Sequence, residues 1–143
     1  YFSMDIFFYF LDHYRDLSPF LKDLPKFLFE YRQCLSKTGQ YEEGIRILTE
    51  GTRLSADPMF YNIMGKDAEA LKHFGQAEAC FKQASYMVPH RLYPLYLLAK
   101  MYFESGQPEK GRDMARQVIQ KEPKVMSDAV KEMKAELEER LKP

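Results

Sequence analysis

Histidine and cysteine are the side chains of this chain best equipped for metal binding or nucleophilic chemistry, and their spacing supports neither. His13, His73 and His90 are scattered, with no HExxH pattern and no cysteine or carboxylate at ligand spacing. They read as surface groups. Cys34 and Cys80 lie far apart and form no CxxC pair, so they read as two buried thiols rather than a disulfide or redox couple. The phosphate-cradling patterns GxGxxG and GxxxxGK and the nucleophile elbow GxSxG are all missing. No metal, cofactor or catalytic residue is expected, and the chain does not read as an enzyme.

Charge narrows the partners further. Lys and Arg together number 21, as do Asp and Glu, so no net field draws in nucleic acid or an anionic membrane. Aromatic residues make up 15% of the chain, all of them Tyr and Phe. The most apolar stretch, Ile6 to Leu11, is much shorter than the roughly 20 residues a membrane-spanning helix needs. This segment is therefore not expected to insert into a bilayer. The chain opens on Tyr1 rather than Met, which reads as a piece of a larger protein.

The elements that hold these residues repeat. Met64-Gly65, Ala77, Phe81, Ala84 and Pro89 return 34 positions later as Leu98-Ala99, Gly111, Ala115, Val118 and Pro123. Such a period marks helix-turn-helix units that stack into a solenoid. The preceding step is 33, from Gly44, Leu48 and Gly51 to Ala77, Phe81 and Ala84. Turns fall at Gly39, near Lys72 and at Gly106, the glycines being suited to the left-handed residue that ends a helix. The expected division is a half repeat over 1–24, units over 25–57, 58–90 and 91–124, and a capping helix over 125–143 with Ser127 as its N-cap. That gives eight helices and no strands. Small residues (Gly65 and Ala99 against Gly44, Ala77 and Gly111) should let backbones approach. Arg32 stands where the first unit should be small, which predicts either a displaced helix or a side chain snorkelling to solvent. In the last helix, Lys134 and Glu138 stand at i,i+4 on a solvated polar face.

These residues resemble the tetratricopeptide repeat (TPR) family, over most of the chain. Tyr61…Met64-Gly65…Ala77…Phe81…Ala84…Pro89 and Leu95…Leu98-Ala99…Tyr102…Gly111…Ala115…Val118…Pro123 carry the likeness, although no unit has the early tryptophan. The resemblance implies an all-α, right-handed superhelix whose concave groove binds a peptide or a partner helix. In such repeats the first helix of each unit lines the groove, which places Phe29, Gln33, Asn62, Lys66, Tyr93, Tyr96, Lys100 and Phe103 along it. Relatives that clamp a C-terminal carboxylate carry Lys and Asn on the first unit and a basic residue on the third. Phe29, Gln33 and Leu97 fill those places here, which disfavours chaperone-tail binding.

More narrowly, Phe27–Tyr41, Ser55–Lys66 and Arg91–Lys100 are similar to the soluble TPR region of bacterial O-antigen ligase/polymerase-like membrane proteins. That similarity implies an accessory domain of a membrane-tethered cell-envelope assembly protein. The alternative is a stand-alone soluble adaptor that binds an extended peptide or partner helix. One segment fits neither picture fully. Phe2, Ile6, Phe7, Phe8, Tyr9, Phe10 and Leu11 place apolar groups on more than one face of a helix, which marks an interface. Phe7, Phe8, Phe10 and Leu11 are its candidate residues, facing an upstream element or a second copy. Ser18-Pro19 and Leu24-Pro25 are expected to bracket the loop that follows.

Overall fold

A computed structural model describes residues 4–21 and 24–143, so Phe2 lies outside the described residues. Eight helices follow one another: α1 (Met4–Leu21), α2 (Pro25–Lys37), α3 (Tyr41–Gly51), α4 (Met59–Ala70), α5 (Phe74–Met87), α6 (Tyr93–Glu104), α7 (Pro108–Gln120) and α8 (Asp128–Leu141). There is no strand among the described residues. Pro25 and Pro108 open α2 and α7, and Pro94 lies in the first turn of α6, where a missing N–H costs nothing. Ser127 caps α8 by accepting from the Val130 N–H at 3.2 Å.

The turns inside the three helical pairs are built alike. Gly39, Lys72 and Gly106 all adopt left-handed backbone, at φ 77°, 60° and 75°. In each turn the next residue donates back five positions: Gln40 to Leu35 at 2.7 Å, His73 to Ala68 at 2.8 Å and Gln107 to Tyr102 at 2.8 Å. This is the Schellman closure that satisfies the last carbonyls of a helix. Lys72 thus performs a glycine's task with a side chain.

Three overlapping apolar clusters run along the stack. The first joins Leu11, Leu28, Tyr31, Leu35, Leu48 and Phe60; the second Ala68, Ala77, Phe81, Leu98, Met101 and Tyr102; the third Leu92, Ala99, Ala115, Val118 and Leu137. The small residues work differently from the small-against-small packing expected. A Cβ on Gly65 would sit 2.4 Å from the Phe81 ring, and one on Gly111 would sit 2.9 Å from Phe103. Each glycine is a seat for an aromatic ring, so the space it frees is filled by side chain rather than by a second backbone.

Four further expectations change. Helix α1 continues through Ser18-Pro19 to Leu21, because Pro19 falls in the last turn, where it breaks one bond only, while Tyr14 and Leu21 pack on the first cluster. Leu11 is wholly buried against that cluster and presents nothing to a second interface. Arg32 turns toward the next unit and binds Asp67, its Nε 3.0 Å from both carboxylate oxygens and its side chain 18% exposed. Lys134 bonds the Ile119 and Lys121 carbonyls at 2.9 and 2.7 Å, capping the end of α7. Those carbonyls are fixed acceptors, whereas an exposed i,i+4 pair is worth only a few tenths of a kcal/mol.

Candidate functional site

The first helices α2, α4 and α6 stand side by side with α8, which packs next to α6 as the fourth of the series. Their shared face carries the residues expected in the groove, and the structure divides them. Phe29 is half-buried with its ring 4.7 Å from that of Phe60, so it serves the first cluster more than the surface. Gln33 is exposed. Asn62 is buried and its Oδ1 has no hydrogen-bond partner.

Lys66, Tyr93, Tyr96 and Lys100 come together. The Lys66 Nζ donates to the Tyr93 hydroxyl at 3.3 Å, and the Tyr93 and Tyr96 rings stack with centroids 6.2 Å apart. The Lys100 Nζ donates to the Tyr96 hydroxyl at 3.1 Å, and it lies 5.0 Å from the centroid of that ring. Helix α8 then closes the row. Tyr96 donates to Glu136, and Lys100 pairs with the same carboxylate at 3.2 Å. Phe103, seated against Gly111, is covered by the Arg140 guanidinium at 5.4 Å.

Electrostatics follow from this closure. The hydrogen bond from Tyr96 lowers the Glu136 carboxyl below its usual range, with Lys100 adding to the effect. Burial and the Glu136 contact raise the Tyr96 hydroxyl. Deeper in the stack, burial raises Asp67 and the Arg32 guanidinium draws it part of the way back. Burial, and then the nearby Glu104, raise Glu69, whose Oε2 lacks a partner.

Between α4, α6 and α8 the row opens into a cleft of about 820 Å³. Met59, Tyr93, Tyr96, Val125, Val130 and Met133 give it apolar walls, and Arg91, Lys124, Glu132 and Glu136 supply charge around them, with His90 a further polar group. Its size and mixed lining are those of a site for one or two bulky side chains of a ligand. The loop that follows α7 leaves Val125 exposed at the cleft and Met126 exposed next to it in sequence. Among the described residues, no group of three or more His, Cys, Asp or Glu side chains could hold a metal ion. Cys34 and Cys80 are free and buried, and burial raises both thiols.

Repeat spacing singles out Tyr93, Tyr96 and Lys100 of α6 but does not place α8 beside them. Val130 and Met133 were legible as an apolar stripe, but nothing in the spacing put them beside Tyr93. Glu136 and Arg140 were hidden in a run of alternating charge that reads as a solvated surface. Asp67, one of two carboxylates in the otherwise largely apolar α4, is the counter-charge that the unexpected Arg32 calls for.

No protein-family profile and no curated protein matches the sequence. Solved structures do. A crystal structure of MamA aligns with a TM-score of 0.67 at 14% identity, covering 91% of this chain and 85% of that one. A second crystal structure of MamA gives 0.65 at 14%, covering 91% and 76%, and a MamA RS-1 ArsTM double mutant gives 0.64 at 16%, covering 91% and 82%. These similarities establish the fold, an all-helical solenoid of the TPR type.

Proposed function

We propose that this chain is a non-enzymatic scaffold for protein–protein contact, and that its ligand is a peptide or partner helix whose bulky apolar side chains enter the cleft between α6 and α8. The TPR-type fold supports the protein-binding part of this reading. The cleft carries the rest: an opening of about 820 Å³ with an apolar interior and charges of both signs at its edge fits an amphipathic peptide better than a polyanion or a small polar metabolite. The groove residues that take part are Tyr93 and Tyr96 in the wall and Lys66 and Lys100 beside them. Phe29, Gln33, Asn62 and Phe103 lie outside the cleft lining, as do Lys66 and Lys100, which reach it only through Tyr93 and Tyr96.

The test is selection from a displayed peptide library followed by titration of the best binders. Selected peptides should share bulky apolar anchors. Val125→Asp and Tyr93→Ala should each weaken binding about tenfold or more, as loss of an anchoring contact does. Both variants should keep the wild-type melting temperature to within a few degrees. Peptides without apolar anchors, or binding indifferent to both substitutions, would refute the reading. Tyr96→Ala with Lys100→Ala is a poorer probe, because it also cuts the hold of α6 on α8.

For the cellular setting we propose an accessory domain of a membrane-tethered cell-envelope polysaccharide assembly protein. The likeness of Phe27–Tyr41, Ser55–Lys66 and Arg91–Lys100 to the repeat region of such proteins supports it. Among the described residues no helix is long and apolar enough to cross a membrane, so any anchor would have to lie outside them. Reading the gene upstream of Tyr1 tests this directly. Several apolar runs of bilayer length are expected, and an open frame without them favours a stand-alone adaptor.

A further inference from the structure

Helices α3, α5 and α7 are each packed between two first helices, that of their own unit and that of the next. Helix α1 packs mainly on α2, with Arg15 reaching across to Gln40 and to Glu43 of α3. The flank about a quarter turn from its packed face carries Ile6, Phe10, His13, Leu17 and Phe20, placed at alternating steps of four and three, with Tyr9 along its edge. That spacing produces a continuous seam along one face of a helix and is the spacing by which two helices pack lengthwise. The apolar members are exposed, from 38% at Ile6 to 82% at Phe20. The acids Asp5, Asp12 and Asp16 border the seam on the side of α1 that faces away from α2.

We propose that this seam pairs α1 with α1 of a second copy, antiparallel about a two-fold axis at His13. Three observations favour a second copy as the occupant. First, the stripe is close to palindromic about His13. In an antiparallel pair Ile6 stands against Phe20 of the second copy and Phe10 against Leu17, while His13 meets its own counterpart. A two-fold interface requires this self-complementarity, and an unrelated partner does not. Second, the area suffices. Five partly exposed aromatic and aliphatic side chains offer roughly 500 Å² per copy, so a pair covers about 1,000 Å², the lower bound for a specific interface. Third, the other end of the solenoid is closed to head-to-tail stacking. The exposed side of α8 carries Lys131, Glu132, Glu138, Glu139 and Lys142, which would leave charges buried against an apolar seam. Pairing by α1 also leaves both clefts open, so the dimer is bivalent.

Sedimentation of the 143-residue chain from about 5 to about 500 µM should show conversion from monomer to dimer, the range expected for so small an interface. Phe10→Glu with Leu17→Glu should remain monomeric throughout with unchanged helix content. His13→Cys adds the geometric test. With a thiol on the axis, diamide should link two copies through one disulfide, two thiols being oxidised as one diamide is reduced. The native cysteines are buried and do not compete. A chain that stays monomeric at the highest concentration overturns the proposal and frees the seam for a different partner. So does a dimer that survives the double glutamate variant, or one in which the His13→Cys thiols fail to link.

Discussion

Lys72 shows how far the repeat enforces its own geometry. Its backbone is left-handed at φ 60° because the turn between α4 and α5 must close as the two glycine turns do. An L-residue with a Cβ is strained there by about 1–2 kcal/mol, which a glycine avoids. Lys72→Gly should therefore stabilise the chain by roughly 0.5–1 kcal/mol, after the added freedom of the unfolded glycine is subtracted. For a chain of this length that raises the melting temperature by about 2–4 °C per kcal/mol, readable by circular dichroism. An unchanged or lower melting temperature would mean that the Lys72 side chain stabilises the turn in some other way.

At the scale of elements, the tie between α6 and α8 decides whether the cleft exists. Its central group is Glu136, whose carboxyl titrates below the ordinary 4.5 because Tyr96 and Lys100 favour its charged form. A carboxyl lowered in the folded chain contributes its full stability above the unfolded value and loses it as the pH falls through the folded one. Glu136→Gln should thus melt below the wild type at pH 7. The difference between the two should shrink as the pH drops past 4.5, and a difference constant with pH would deny Glu136 this role. The sequence made such elements easy to find and their pairing hard to see. Helices α4 to α7 follow from the 34-residue step and from Gly106, Pro89 and Pro123, since local turn chemistry and apolar period both lie in neighbouring residues. The contacts of α8 are not local. Glu136 and Arg140 look like any solvated helix surface until the solenoid brings Tyr96 and Phe103 underneath them. Leu11 was misplaced for a related reason, because an apolar helix with several usable faces does not declare which one is inside.

For the whole molecule, the junction between the first and second units is the place to cut. Arg32 and Asp67 meet there across two first helices, with Asp67 only 1% exposed. Removing one partner of such a pair leaves the other buried without a counter-charge, at a cost of about 3–5 kcal/mol. In a stack whose stability is a sum over neighbours, that loss is local. Arg32→Ala, which leaves Asp67 unpaired, should speed hydrogen exchange of α2, α3 and α4 about a hundredfold or more while α7 and α8 keep their protection. Uniform acceleration across the chain would show one cooperative unit instead. Among the described residues, substantial packing joins successive helices and the first helices of adjoining units, with nothing spanning the length of the stack. In mechanical terms the molecule is a short chain of springs in series. A load applied between its ends is borne in full by every junction and shared by none, so the weakest junction sets the force at which it yields. A partner seated in the cleft bridges α4, α6 and α8, and by stiffening two of those springs it would move the yield point to the α1–α3 end.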